Sequence, residues 1–242
     1  MIDLHSHILS GIDDGARTIE DTVLLAQQSV DEGVTHMVCT PHVHPGVYDN
    51  THDSISQAFD AAVEAIKSYN IPLKLSFAAE IRLSFEILEW IKGNNIPFLG
   101  RYKDKNVLLL ELPHSHIPVG TDNLITWLSK QNIQAVIPHP ERNREIMANY
   151  DKAIWLRNLG CLFQMTAGAV TGRFRDESSD TAWRMLEDNM FAYVASDLHN
   201  LHKRPNDMGK AYKQIEQAFG TNTAEKLFSE TPAHITESTH WY

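Results

Sequence analysis

Residues 107–139 read VLLLELPHSHIPVGTDNLITWLSKQNIQAVIPH. An apolar run, VLLLEL (107–112), carries the carboxylate of Glu111 near its end, an amphipathic stretch follows over 122–130, and a second apolar run, QAVIPH (134–139), stops at His139. Short apolar runs alternating with amphipathic helical segments are the pattern of parallel βα units. Working outward, the same reading gives IDLH (2–5), THMVCT (35–40), LKLSFAAE (73–80), CLFQMT (161–166) and FAYVAS (191–196), seven strand candidates in all. Helices are predicted over 18–32, 53–69, 85–92, 122–130, 152–158, 179–188 and 207–219. Thr18-Ile-Glu-Asp places acidic residues in a first turn, and Gly33, Gly160 and Gly220 stand where helix C-caps belong. No linker, short repeat or low-complexity segment divides the chain, so the expectation is an α/β fold in a single domain over 1–242.

Composition narrows the function classes. With 43% hydrophobic and 21% charged residues, the chain is expected to be folded throughout. A formal net charge of −10 opposes nonspecific binding to nucleic acid or to an anionic membrane surface. No stretch approaches the roughly 20 apolar residues of a membrane helix, and MIDLHSHI lacks the basic and apolar regions of a signal peptide. A cytoplasmic protein is expected, without direct membrane insertion. Cys39 and Cys161 lie in strand-like runs and read as buried, reduced thiols. The 13 histidines are the anomaly, because many fall immediately after apolar runs.

Every strand candidate except the sixth ends in a metal-capable residue: His5 and His7, His42, Glu80, Glu111, His139, then Asp197 and His199. In a βα barrel the C-terminal strand ends share one face, where active sites are built. Side chains two apart on a strand point the same way, so His5 and His7 can present two imidazoles to one ion, with Asp3 on the same side. The plain alternative for such a pair is two polar residues at a strand end. Glu80 and Glu111 end runs that should be buried, and cation coordination offsets the desolvation of a carboxylate there; a salt bridge to arginine does the same. His42 and His139 each follow a proline that ends a strand and stiffens the loop. Asp13-Asp14-Gly15 is by default a solvated turn, but Asp14 closely follows His7 and joins the ligand candidates. Mixed nitrogen and oxygen donors suit manganese, iron or zinc better than calcium, and the absence of cysteine weighs against a structural zinc site. Arg142 and Arg204 follow the ligands closely and are placed to grip phosphate; the alternative is a surface ion pair.

The stretches MIDLHSHILSGIDDGARTIEDT, CTPHVHPG, AAEIRL, LLLELP, IPHPER and ASDLHNLHKRPNDM, spanning residue 1 to about 210, resemble the polymerase and histidinol phosphatase (PHP) superfamily. Within it they are similar to the bacterial protein-tyrosine phosphatases of capsule and exopolysaccharide operons. The resemblance implies a distorted TIM-like (β/α)7 barrel and a site of three divalent ions, commonly manganese. It places His5, His7, Glu80 and Asp197 around one ion. Glu80 bridges to a second held also by Glu111 and His139, and Asp14, His42 and His199 hold the third. Arg142 and Arg204, with His42, form the implied catalytic set, the arginines binding the phosphate. The implied substrate and partner is the phosphotyrosine tail of a membrane-associated tyrosine autokinase that controls polysaccharide export. Asn143 departs from the pattern where an aromatic residue is frequent, and Arg175 where glycine is usual; neither is a ligand.

Ions of this kind lower the pKa of water so that hydroxide can attack near neutral pH, and phosphoryl transfer otherwise asks mainly for positioning and charge stabilisation. A thiol-based phosphatase is excluded, since Cys-x5-Arg is absent: Pro45 stands in the arginine's place after Cys39 and Ala167 after Cys161. The nearest alternative is a PHP phosphoesterase for histidinol phosphate or another small monoester. A barrel amidohydrolase is more distant, with no strand-ending lysine to carbamylate, and a non-catalytic module docking on a kinase tail has no use for so many ligands.

Overall fold

The strands are continuous apolar runs because both of their faces are covered. In the computed structural model, which describes residues 1–93 and 95–242, they are β1 (Ile2–Ser6), β2 (His36–Cys39), β3 (His42–Val43), β4 (Lys74–Phe77), β5 (Glu80–Arg82), β6 (Gly100–Tyr102), β7 (Lys105–Glu111), β8 (Ile133–Pro138), β9 (Leu162–Thr166) and β10 (Tyr193–Ala195). The chain is a mixed α/β structure with two sheets, β1-β2-β4 and β10-β9-β8-β7-β5-β3. Pairing is parallel along both, and among the described residues β6 alone adds antiparallel to β7.

The expected strand at 35–40 is β2, with β3 added beyond it, and the one at 73–80 is broken between β4 and β5. Pro41, which has no N–H to give a ladder, separates β2 from β3, while its carbonyl accepts from Glu80 N at 3.0 Å. Ala78 and Ala79 separate β4 from β5, and Ala78 N donates to Cys39 O at 2.8 Å. The two sheets therefore continue into each other through single chains. They also meet where Asp197 N donates to His5 O and His7 N to Leu198 O, both at 2.9 Å.

The helices are α1 (Ile19–Asp31), α2 (His52–Ser68), α3 (Ile87–Lys92), α4 (Thr121–Lys130), α5 (Arg144–Ala148), α6 (Asp151–Asn158), α7 (Ala167–Val170), α8 (Asp176–Glu187), α9 (Met208–Phe219), α10 (Thr221–Glu225) and α11 (Thr231–Ile235). Thr18 opens α1 with a reciprocal capping box to Asp21, and Thr22, Leu25, Ala26 and Ser29 form its buried stripe. Ile55, Phe59, Ala62 and Ile66 do the same for α2. No helix is long and apolar enough to cross a membrane among the described residues.

Alternation along the strands sorts the core into two clusters. Leu4, Val38, Val107, Leu109, Val136 and Tyr193 fill an inner cluster, whereas Met37, Cys39, Leu108, Leu110, Ala135, Ile137 and Val194 pack in the larger one with the helices. Each fully buried aliphatic chain contributes about 1.5–3 kcal/mol. The tail from 231 onward, on which the sequence was silent, closes this inner cluster: Ile235 of α11 is fully buried in it, and Tyr242 exchanges backbone hydrogen bonds with Leu75 at 2.9 and 3.2 Å. Gly100 permits that contact, since a Cβ there would lie 2.1 Å from Ile235 O at a backbone φ of +148°.

Candidate metal centre

The site lies at the C-terminal ends of the strands, above the inner cluster. His5 and His7 on and just beyond β1 are fully buried, with their Nε2 atoms 3.1 Å apart. The far nitrogen of each ring is committed elsewhere. His5 Nδ1 donates to Gln164 Oε1 of β9 and His7 Nδ1 to Asp13 Oδ2, both at 2.8 Å. His199 Nδ1 donates to the carbonyl of Asp197 at 2.9 Å. With each Nδ1 engaged as a donor, the three Nε2 atoms are left facing inward, where they can take either a proton or a cation.

Carboxylates meet them. Glu80 Oε2 lies 2.9 Å from His42 Nδ1, 3.3 Å from His5 Nε2 and 3.4 Å from His7 Nε2, while its Oε1 is 2.9 Å from His139 Nε2. Asp197 Oδ1 is 3.4 and 3.5 Å from His5 and His7. Asp14 Oδ1 sits 3.4 Å from both His42 and His199 Nε2, so this half-exposed turn residue does join the cluster. His139 and Asp197 both adopt left-handed backbone, φ 39° and 52°, which turns the chain sharply as each strand ends.

These residues fit a metal. Among the described residues, three groups have ligand atoms mutually within 4.8 Å: His5, His7 and Glu80; His42, Glu80 and Glu111; and His7, Asp14, His42 and His199. Glu80 Oε2, Glu111 Oε2, Asp197 Oδ1 and His199 Nε2 are buried without a hydrogen-bond partner, and a buried polar atom left so is costly unless a cation supplies the missing interaction. The salt-bridge reading of Glu111 is also realised, with Arg82 Nε 3.1 Å from its Oε2, but that pair is not aligned as a hydrogen bond.

The surroundings draw positive charge to these atoms. Burial works against a charged His42, yet the charge of Glu80 overcomes it and pushes its pKa up to about 10. His7 is likewise held well above its usual range, burial being outweighed by Asp13. Burial acts to raise the carboxyl pKa values of Glu80 and Asp197, but His5 beside the first and Arg204 beside the second hold both below the usual range. Glu111 is pushed up to about 7 by burial and by Glu80's charge, whereas burial brings His139 down to about 3 and His199 down to about 4.

Arg142 and Arg204 converge on the outer oxygen of Asp197, with Nη1 and Nη2 at 2.6 and 2.5 Å from Oδ2. Arg204 and His114 line a cavity of about 140 Å³ over His42, Glu111 and His139. Asp3, expected beside the two histidines, instead accepts from His5 N and Ser196 N and ties β1 to the end of β10. The two cysteines are buried, and burial pushes both thiols upward. Asp13 and Gln164 were missed by the sequence reading. Gln164 had left a signal, a lone amide inside the apolar run CLFQMT.

A profile of the family described as "Capsular polysaccharide synthesis, CpsB/CapC" matches residues 1–237. The chain belongs to the CpsB/CapC family. Its relatives there include the tyrosine-protein phosphatase YwqE of Bacillus subtilis, 32% identical over 98% of this chain and 89% of that protein. The putative tyrosine-protein phosphatase CapC of Staphylococcus aureus is 30% identical over 100% of this chain and 99% of its own. A solved structure from work on B. subtilis YwqE and Streptococcus pneumoniae CpsB, described as "unique metal-dependent tyrosine phosphatases", superposes with a TM-score of 0.85 at 32% identity, covering 98% of this chain and 92% of that one.

Proposed function

We propose that this chain is a metal-dependent protein-tyrosine phosphatase acting on a membrane-associated bacterial tyrosine autokinase in polysaccharide export. The observation that carries the reading is the convergence of unpartnered nitrogen and carboxylate atoms beside two arginines. Family membership and the names of the relatives support the substrate class. The work belongs to the cytoplasm, and one domain over 1–242 performs it. The strand ends are held by a distorted TIM-like (β/α)7 barrel, for which the hydrogen bonds between β1 and the residues after β10 and the short passages from β2 to β3 and from β4 to β5 are the support.

Three divalent ions, manganese first among iron and zinc, would be held by His5, His7, Glu80 and Asp197; by Glu80, Glu111 and His139, with His42 close by; and by Asp14, His42 and His199. Bound there, such ions lower the pKa of water and neutralise phosphate oxygens. The chain's own groups do the rest. Asp197 holds Arg142 and Arg204 at the rim with planar donors turned to one place, the arrangement that grips two oxygens of a phosphoryl group. Glu80 Oε1 fixes His139, its Oε2 stands 2.9 Å from His42 Nδ1, and Gln164 and Asp13 fix the ring orientations of His5 and His7.

The test is hydrolysis of a phosphotyrosine peptide after chelation and again after manganese is restored. Activity lost and then regained is the expected result, and His5→Ala or Glu80→Ala should abolish it while circular dichroism stays unchanged. Turnover of histidinol phosphate in preference to the peptide would transfer the site to a small-monoester phosphatase.

A further inference from the structure

Next to the metal centre lies a second, much larger cleft of about 940 Å³. It runs between the start of α5, with Arg144 and Met147, and the segment Arg173 to Ser178 that leads into α8. His114 and the metal-side Arg142 form its inner wall, and His114 also lines the 140 Å³ cavity, so the two spaces are neighbours across one side chain. The smaller cavity is below the roughly 300 Å³ at which ligand pockets begin, and the cleft is near the top of that range. A substrate whose phosphate enters the first therefore leaves its remaining bulk to the second.

The cleft carries charge against the sign of the whole molecule. Four arginines line it, Arg142, Arg144, Arg173 and Arg175, against the single carboxylate of Glu177, in a chain of net charge −10. Two of the four are already spoken for: Arg142 binds Asp197 and stacks 4.5 Å over the Phe174 ring, and Arg173 binds Asp207. Arg144 and Arg175 are exposed and have no carboxylate within ion-pair distance among the described residues. Two unpaired guanidinium groups facing a cleft beside the reaction centre are complementary to carboxylates.

We propose that this cleft binds acidic residues flanking the phosphotyrosine, with Arg144 and Arg175 as the specificity-determining side chains. The inference rests on the phosphatase reading and specifies its substrate as a phosphotyrosine in an acidic peptide. A small phosphomonoester occupies only the inner cavity and is indifferent to both arginines.

The experiment uses the manganese-loaded protein and two phosphotyrosine peptides, one with Asp and Glu around the phosphotyrosine and one with Asn and Gln in their places. The wild type is expected to favour the acidic peptide by roughly tenfold in kcat/KM at low salt, as two rim charge contacts allow. The double variant Arg144→Gln/Arg175→Gln is expected to lose that preference while hydrolysing p-nitrophenyl phosphate at the wild-type rate. Equal rates for the two peptides in the wild type, or a variant that slows both alike, would overturn the proposal. Fluorescence anisotropy with the same sequences bearing a non-hydrolysable phosphonate separates it from the catalytic reading. If no peptide is turned over, the phosphatase assignment fails. Tighter binding of the acidic phosphonate, lost in the double variant, would still uphold the cleft, and equal binding would dismiss it.

Discussion

Asp13 binds three segments with one carboxylate: it accepts from His7 Nδ1 at 2.8 Å, from His42 N at 3.1 Å and from Gly15 N at 2.9 Å. The turn closes so tightly that a Cβ on Gly15 would fall 2.0 Å from His7 O, so only glycine serves there. Asp13→Asn keeps the size of the side chain but withdraws the charge that orients His7. Losing such a partner typically weakens metal binding by about 10–100-fold. The expected outcome is a manganese requirement raised by that factor with the fold intact, read from activity against free manganese. His5, His7, Glu80, His139 and Asp197 were legible because each polar side chain interrupts or ends an apolar run. Asp13 was not, because Asp-Asp-Gly reads as a turn whether its first carboxylate faces water or an imidazole.

Elements were legible where a period could be counted. The stripes of α1 and α2 repeat over 13 and 17 residues, while α5 and α7, at 5 and 4 residues, are too short to show one. The start of α9 depends on a contact of the same hidden kind. Asp207 is buried and takes Arg173 on both oxygens, with Arg173 Nη2 at 2.8 Å from Oδ1. Burial alone would raise its pKa, but the arginine outweighs burial and holds the carboxyl below its usual value. An acid depressed in the folded state contributes stability above its unfolded pKa of about 3.9 and loses it as pH falls through the folded value. Asp207→Asn should therefore cost about 1.5–3 kcal/mol at pH 7, the range for a charge-assisted hydrogen bond. The difference in Tm from wild type should shrink as pH falls below about 3.9, where the unfolded wild-type carboxyl takes up a proton that the folded one still refuses.

At the scale of the molecule, the apolar run at 107–110 was legible as a buried strand, and the structure divides it between two faces, Val107 and Leu109 in the inner cluster and Leu108 and Leu110 in the outer. The pattern could not say what seals the inner one. Ile235 reaches it from a helix of 5 residues, and the pairing of Tyr242 with Leu75 joins segments whose sequences carry no mark of each other. Cutting Ile235 back to alanine should cost about 2–5 kcal/mol in urea unfolding. Activity per folded molecule should persist, because the strand ends that carry the ligands lie beyond the inner cluster. Loss of activity at full stability would instead couple the tail to the site.

Glu80 belongs to two of the three ligand groups, and His7 and His42 are shared as well. Sites built from common atoms do not fill independently. The first cation to arrive takes up charge and lone pairs that the next one needs and repels it, and by reciprocity each then weakens the other. Loading should be graded, with partly filled protein abundant between the first and last ion and a manganese titration rising less steeply than a single hyperbola.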